Sequence, residues 1–196
     1  FRSSKDGITI GKRYFKHENN KEDYPFSPSG HNLYDNNSKL YYCRDFDNIV
    51  YQIHEDSVVP RFRINLPNPL PASMIEERPN EMSLLRSGYS LGITDIYEYG
   101  GLLFFRFVKD GYIWSCLYNV EESKQVYCAK RIKFLDSSLI DTIDGIYKDC
   151  FYSILTPEYL DYAFSENPLE DYPDLFKTYD VEGDNPVIAF YRAVVR

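Results

Sequence analysis

The stretch that decides the fold runs from Leu40 to Leu66 and reads LYYCRDF, DN, IVYQIH, EDS and VVPRFRINL. Three runs rich in β-branched and aromatic residues are separated here by two short clusters of turn-forming residues. In the last run Phe62, Ile64 and Leu66 share one face, and this alternation is typical of a strand with one buried face. The stretch therefore predicts an antiparallel meander of three strands.

A second meander is predicted between residues 89 and 132. Its four runs of strand-forming residues cover 89–98, 102–108, 112–118 and 125–132. Gly100-Gly101 and Lys109-Asp110-Gly111 separate the first three runs. Gly-Gly and Asp-Gly are strong hairpin signals because they accept the positive φ of tight turns. We expect a single four-stranded sheet, which is the size of one propeller blade.

The segments before and between the meanders are less regular. Residues 1–39 contain one predicted strand, from Ile8 to Phe15, among turn-rich loops. Residues 72–86 form a predicted connector with up to two helical turns, which Pro79 interrupts.

The C-terminal part of the chain changes period. Strands are predicted at 139–147, 150–155 and 187–195. Thr156-Pro157-Glu158 indicates a helix start, because a hydroxyl can cap the helix, proline fits its first position and an acid suits its first turn. We expect short helices near 157–165 and 173–178.

The composition favours a β-rich protein and excludes some partners. Nineteen Tyr, 13 Phe and one Trp suit pleated surfaces, and they also suit platforms on which sugars stack. The net charge of −8 repels phosphate backbones, so nucleic acid is not an expected partner. No apolar run approaches the roughly 20 residues of a transmembrane segment. The sequence shows no signal peptide pattern and starts at Phe1, so we expect that an upstream segment has been removed.

The four cysteines leave the redox compartment open. They form no C-x-x-C pair, and no histidine lies near them in sequence, so a structural zinc site is not expected. A turn centred on Glu122 would place Cys116 opposite Cys128 across a hairpin. A cross-strand disulfide is then one interpretation, and two buried free thiols are the favoured one.

Three segments resemble the C-terminal part of a family of six-bladed β-propeller proteins of unknown function, which are numerous in Bacteroides-type bacteria. Residues 47–53 (DNIVYQI) and 59–66 (VPRFRINL) are similar to the family's strand pair, d-x-I-Y-x-I and P-x-[YF]-x-I-x-[FL], with Val50 as one extra residue. Residues 184–192 (DNPVIAFYR) are similar to the family's terminal d-N-P-V-L-x-F-Y-K. Residues 89–132 match the family in layout.

The resemblance implies an all-β fold, namely a partial β-propeller of about three to four blades of antiparallel meander. It implies that residues 1–196 form a single domain, the C-terminal portion of a six-bladed propeller, because six blades need roughly 270 residues. It also implies a secreted protein or lipoprotein of the cell envelope, in the periplasm or at the cell surface. It implies no assigned activity and no catalytic residues.

Motifs for catalysis are missing from the sequence. The three histidines, His17, His31 and His54, lie far apart, and solvated side chains are the expected interpretation. No nucleophile elbow, dinucleotide fingerprint or phosphate loop occurs. The pairs Asp45/Asp47 and Asp141/Asp144 could serve in calcium binding or glycoside hydrolysis, but turn chemistry explains them more simply. We therefore predict no catalytic residues, no metal site and no cofactor.

Aromatic residues and one glycosylation pattern complete the candidates. Trp114 shares a strand face with Tyr112, where core packing is favoured over a sugar-stacking site. The same choice applies to Tyr97 and Tyr99, beside the Gly-Gly turn. The triplet Asn36-Asn37-Ser38 fits the acceptor pattern for N-glycosylation, which is common by chance.

These observations predict a non-enzymatic envelope protein with a binding or scaffold role. Its ligand is unknown, and a glycan or another envelope protein is the expected partner. One alternative is a polysaccharide-acting enzyme, in which carboxylates from different blades would converge at the propeller channel with spacings of about 5 or 9 Å. Another is a protein–protein interaction platform, which would present a large apolar patch.

Overall fold

Antiparallel sheets make up most of the computed structural model of this protein. The structure describes residues 2–4, 7–9, 32–77, 79–130, 132–134, 137–140, 143–166, 178–180, 182–183 and 185–192. Its strands are β1 Arg2–Ser4, β2 Gly7–Thr9, β3 Leu33–Asn36, β4 Lys39–Cys43, β5 Ile49–Ile53, β6 Val58–Arg63, β7 Ser90–Tyr99, β8 Leu102–Lys109, β9 Tyr112–Asn119, β10 Lys124–Ala129, β11 Ile132–Phe134, β12 Ser137–Ile140, β13 Gly145–Tyr147, β14 Cys150–Leu155 and β15 Val187–Tyr191. Its helices are α1 Ala72–Glu76, α2 Glu81–Leu85 and α3 Pro157–Glu166.

Strands that follow each other along the chain also pair with each other. The larger sheets have the orders β3-β4-β5-β6, β10-β9-β8-β7 and β13-β14-β15, and β1-β2 and β11-β12 are two-stranded. All of these pairings are antiparallel. The predicted all-β fold built from antiparallel meanders is therefore confirmed. That residues 1–196 are the C-terminal portion of a six-bladed propeller stays a prediction.

The predicted four-stranded sheet between residues 89 and 132 is confirmed as β7 to β10. Both predicted hairpin turns have left-handed backbone geometry, with φ of 58° and 76° at Gly100 and Gly101 and of 54° and 74° at Asp110 and Gly111. These angles match the twist of the paired strands.

The meander at Leu40–Leu66 contains one strand more than predicted. The sequence predicts a loop where the additional strand β3 lies, because Asn37 and Ser38 are turn formers. In the structure these two residues, with φ of 45° and 75°, make the tight turn that joins β3 to β4. The register of β5 and β6 shifts between Val50 and Tyr51, where Arg61 of β6 is the extra, unpaired residue of the ladder. Val50 pairs with Phe62 and is buried completely.

Other predicted elements differ in extent. The run 139–147 is divided, because β12 pairs with β11 whereas β13 pairs with β14. The connector, predicted to have little structure and at most two helical turns, contains the two short helices α1 and α2. The helix after Thr156 is confirmed, and Thr156 Oγ1 accepts a hydrogen bond from the Tyr159 N–H at 3.3 Å. The helix predicted near 173–178 lies outside the described residues, apart from Thr178 in a turn. Residues 10–15 and 193–195 of two predicted strands also lie outside them.

The first strands of the three larger sheets meet in one core. Strand β7 contacts β3, β4 and β13, and β3 also contacts β13. Side chains of all three sheets form the main hydrophobic cluster, which includes Tyr34, Tyr41, Phe104 and Phe151. Nearly all side chains of β7 and β8 are buried, on both faces of their sheet. A smaller cluster lies under α3 and contains Leu155, Leu160 and Ala163.

Strand β7 is irregular at two points where it contacts other parts of the molecule. Gly92 has a φ of 94°, and a Cβ atom at this position would lie 2.7 Å from the Cα of Phe46, in the turn between β4 and β5. Asp95 has a φ of 52° and lies at a register shift, where its buried carboxylate pairs with the Arg106 guanidinium at 2.7 Å. The irregularity at Gly92 lets β7 approach the first sheet closely at Phe46, whereas that at Asp95 is stabilised within its own sheet by Arg106.

Candidate functional site

A polar cleft of about 360 Å³ opens where β3 and β13 run beside each other over β7. We call it the central cleft. It is lined by Leu33, Tyr34, Asp35, Asn37, Ser38, Tyr97, Asp144, Gly145, Ile146 and Tyr152. Strands β3, β7 and β13 are each the first strand and an edge strand of their sheet among the described strands. The cleft therefore lies at the junction of three sheets.

Asn36 fixes one wall of the central cleft to its floor. The side chain is buried, its Nδ2 donates to the Ile96 carbonyl at 3.0 Å, and its Oδ1 accepts from the Glu98 N–H at 2.6 Å. Next to it, Asn37 Nδ2 donates to the Lys148 carbonyl at 2.9 Å. The turn of the first sheet is thereby joined to β7 and to the turn of the third sheet. Asn36 is also the acceptor residue of the glycosylation pattern, and in the folded protein its side chain is buried.

Two tyrosines form the floor. Tyr97 donates its hydroxyl to the Asp144 carbonyl at 2.9 Å, and its ring meets that of Tyr34 edge-on at a centroid distance of 6.2 Å. Burial, followed by the nearby carboxylates, raises the pKa of Tyr97, so its hydroxyl stays protonated. The floor is thus an aromatic surface that carries the neutral hydroxyl of Tyr97.

Two carboxylates from different sheets line the same cleft. Asp35 is an exposed residue of β3, and half-buried Asp144 precedes β13 and accepts a hydrogen bond from the Ile154 N–H at 2.7 Å. Beside them Tyr152 lies over Gly145, where a Cβ atom would approach its ring within 2.7 Å. None of the ten lining residues is a lysine, arginine or histidine. The cleft therefore offers hydrogen-bond acceptors and an aromatic ring, and it suits neutral or cationic ligands.

A second polar cluster joins the first two sheets beside the cleft. Glu98 accepts hydrogen bonds from Tyr41, from Arg61 at 3.0 Å and from Lys39 at 3.2 Å. Burial opposes the charged form of Glu98, but the hydrogen bonds outweigh it and lower the pKa of the carboxyl. Burial, together with Glu98, raises the pKa of Tyr41. Since the three donors belong to the first sheet and Glu98 belongs to β7, the cluster holds the two sheets together.

The other predicted candidates do not converge on the cleft, apart from Tyr97 and Asp144. Asp47 accepts the N–H groups of Asn48 and Ile49 at 2.7 and 3.2 Å, which is the turn role expected for it. His54 is exposed, whereas His17, His31 and Asp141 lie outside the described residues. In the described part of the chain, no group of three or more His, Cys, Asp or Glu side chains could hold a metal ion.

Trp114 and Tyr99 are engaged elsewhere. The Trp114 ring stacks on Phe107 at 6.2 Å and packs against the main core, as core packing predicted. Neighbouring Tyr112 is exposed, and the Lys130 ammonium lies 3.4 Å from its ring centroid. Tyr99 lines a separate cavity of about 270 Å³.

Cys116 and Cys128 are joined by a disulfide. They are direct partners in the register of β9 and β10, with a Cα–Cα distance of 4.0 Å. The hairpin geometry considered from the sequence is therefore correct, and the favoured interpretation as free thiols is wrong, because the turn brings the two thiols together. Cys43 and Cys150 are free. Burial, with the charges of Asp47 and Asp45, raises the pKa of Cys43 to about 12.

Sequence reasoning could not assemble the central cleft, because its walls come from strands that are distant in the chain. The sequence singles out Tyr97 and Asp144 among the lining residues, and the tight turn at Asn37 and Ser38 is a further local signal, since a turn next to a strand often lies at the edge of a site. No helix in the part of the chain that the structure describes is long and apolar enough to cross a membrane.

Comparison with known proteins shows one structural neighbour. No family model and no curated protein matches the sequence. A crystal structure of a candidate exported protein from Bacteroides fragilis superimposes with a TM-score of 0.61 and 16% sequence identity. The match covers 84% of this chain and 50% of the neighbour, so this chain spans about half of the neighbour's length. At this identity the likeness establishes a shared fold.

Proposed function

We propose that this protein is a non-enzymatic binding protein of the cell envelope, with its ligand site in the central cleft. The observation that carries the proposal is the convergence of three sheet edges on one polar cleft. Exposed Asp35 and half-buried Asp144 face this cleft with no cationic side chain among the lining residues. Clefts of about 300 to 1,000 Å³ with a few placed polar groups are the usual form of small-molecule sites.

A location outside the cytoplasm is supported by two observations. The structural neighbour is a candidate exported protein, and this chain carries a cross-strand disulfide. Disulfides persist in oxidising compartments such as the periplasm and the cell surface. As part of this proposal, the protein is secreted or anchored to the envelope by a lipid.

We also infer that the sheets are blades of a β-propeller. The inference rests on the meander topology and on the inward position of β3, β7 and β13, because propeller blades place their first strands around a central channel. The neighbour's greater length agrees with a ring of six blades, of which this chain would supply the C-terminal ones.

The ligand that best fits the cleft is a glycan. Carboxylates accept hydrogen bonds from sugar hydroxyls, and amides can both accept and donate such bonds. Tyr152 offers a ring on which a sugar can stack. The test is a glycan array followed by calorimetry with Asp35→Asn and Asp144→Asn. We expect each variant to weaken binding at least tenfold, whereas Asp56→Asn, in the exposed β5–β6 loop, leaves it unchanged. Absence of binding to any neutral or amino sugar would contradict the proposal.

The second candidate is a polysaccharide-acting enzyme, favoured because Asp35 and Asp144 reach one cleft from different sheets. Glycoside hydrolysis uses such a pair as acid and base or nucleophile. The two functions differ in one assay, the release of reducing sugars from the glycans that bind. Release that disappears in both Asn variants supports the enzyme, and binding without release supports the binding protein.

A further inference from the structure

Asp144 lines the central cleft and keeps one carboxylate oxygen without a protein partner. Its backbone N–H donates to the Tyr152 carbonyl at 2.8 Å, and its own carbonyl accepts from the Tyr97 hydroxyl at 2.9 Å. In its side chain, Oδ2 accepts from the Ile154 N–H at 2.7 Å, whereas Oδ1 has no partner among the residues that the structure describes. The carboxylate is therefore held in place before any ligand binds, with one oxygen available as an acceptor.

The cleft carries negative charge that the protein itself does not balance. In the described part of the chain, neither Asp35 nor Asp144 forms an ion pair. The two carboxylates buried at the neighbouring strand β7 differ in this respect, because Asp95 pairs with an arginine at 2.7 Å and Glu98 pairs with a lysine and an arginine at 3.2 and 3.0 Å. A cation for the cleft must therefore come from outside the protein.

Basic side chains on the surrounding elements are held by other groups. The Lys148 carbonyl accepts from Asn37 at the wall of the cleft, but the Lys148 ammonium lies over the Tyr147 ring, 5.2 Å from its centroid. The others form ion pairs, namely Lys39 and Arg61 with Glu98, Arg106 with Asp95, and Arg192 with Asp149. None of these cations can turn to the cleft without giving up its present partner.

The remaining lining groups suit a small ring that carries hydroxyl groups. The half-buried Tyr152 ring is held between Gly145, its register partner in β13, and Phe190, whose ring centroid lies 6.4 Å away. Asn37 and Ser38 add exposed polar side chains at the β3–β4 turn. The volume of about 360 Å³ lies at the small end of ligand clefts, which suits a short sugar unit.

We propose that the ligand of the central cleft is an amino sugar with a free, protonated amine, which Asp35 and Asp144 bind from two sheets while Tyr152 packs on the sugar ring. This inference rests on the proposed binding function and narrows its ligand class. Hydrogen bonds from an ammonium to carboxylates are about twice as strong as those between neutral groups. An N-acetylated amine loses this charge, and a sugar acid is repelled by both aspartates.

The test is calorimetry of the full 196-residue chain with two matched probes, a glucosamine disaccharide with free amines and the same disaccharide with N-acetylated amines. At about pH 6 the amines are protonated and aspartates are ionised. We expect the free amine to bind at least tenfold more tightly, and Asp35→Asn and Asp144→Asn each to lower this preference at least threefold. Asp56→Asn, in the exposed β5–β6 loop, should leave the preference unchanged.

Both variants are designed to retain the fold. Asparagine at position 144 keeps an oxygen for the Ile154 N–H, and Asp35 is exposed. Circular dichroism identifies a variant that fails to fold, in which case the other variant decides.

The results separate a failure of this inference from a failure of the proposed function. If no sugar of the glycan array and neither disaccharide binds, both fall. If the N-acetylated disaccharide binds as tightly as the free amine, or if the array glycans that bind carry no free amine, the binding function stands and the amino-sugar assignment is wrong. A linear diamine that binds as tightly as the glucosamine disaccharide would also overturn the assignment, because the cleft would then recognise amines without the sugar ring.

Discussion

Replacing Asn36 with alanine should separate the first two sheets. Strand β7 is an edge strand among the described strands, and its Ile96 carbonyl and Glu98 N–H both point away from β8, toward Asn36. The amide of Asn36 contacts both groups, as the peptide group of a neighbouring strand would. Alanine removes the amide and leaves these two backbone groups without that partner in a region where Asn36 itself is 2% exposed.

The expected loss of unfolding free energy follows from the two backbone groups, the Ile96 carbonyl and the Glu98 N–H. An unsatisfied buried backbone donor or acceptor costs about 1 to 3 kcal/mol, so we expect Asn36→Ala to lose about 2 to 6 kcal/mol of unfolding free energy. Domains of this kind have roughly 5 to 15 kcal/mol in total. Asn36→Asp should lose a similar amount, because a carboxylate can accept from the Glu98 N–H but cannot donate to the Ile96 carbonyl.

The assay is urea unfolding in oxidising buffer, followed by circular dichroism and by tyrosine and tryptophan fluorescence. Asn37→Gly is the control, because Asn37 is the adjacent amide, has a φ of 45° that glycine accepts, and makes one exposed hydrogen bond. We expect it to lose less than about 1 kcal/mol. A loss below about 1 kcal/mol for Asn36→Ala, or equal losses for Asn36→Ala and Asn37→Gly, would refute the role of Asn36 as the link between the sheets.

Three further predictions concern other parts of the molecule. Reduction of Cys116–Cys128, which closes a loop with a sequence separation of 12, should lower the unfolding free energy by about 3 kcal/mol, and thiol titration in denaturant should count two thiols before reduction and four after it. The lowered pKa of Glu98 stabilises the fold above the carboxyl's unfolded pKa of about 4.3, and this stability is lost as the pH falls through the folded pKa; Glu98→Gln should therefore unfold with a weaker dependence on pH in acid than the wild type. Gly92→Ala should cost about 2 to 4 kcal/mol in urea unfolding, because it adds a backbone clash at 2.7 Å to a positive φ, whereas Gly100→Ala, with positive φ and open space, should cost about 1 kcal/mol.

Local signals explain why much of the fold could be predicted. The sheet β7 to β10 follows from two turns whose glycines permit a left-handed backbone, and α3 follows from Thr156 and Pro157 at its start. Strand β3 was missed, because it has only four residues and one of its buried side chains is Asn36. A buried asparagine has no apolar signature, and its partners lie about 60 residues away in the chain.

The candidate site could not be predicted, because its geometry is non-local. Asp144 was noted for its closeness in sequence to Asp141, but its neighbour in the cleft is Asp35. The backbone contacts that hold the walls join residues far apart in sequence, such as Asn37 with Lys148 and Tyr97 with Asp144. The disulfide was open for a different reason, since spacing alone fits both a bond and two free thiols.

The position of the strand edges accounts for the polar character of the central cleft. Three sheets meet through the edge strands β3, β7 and β13, and an edge strand carries backbone groups that need polar partners. Asn36 satisfies such groups on β7, and the remaining space between β3 and β13 is polar for the same reason, which makes the central cleft suitable for a hydrogen-bonding ligand.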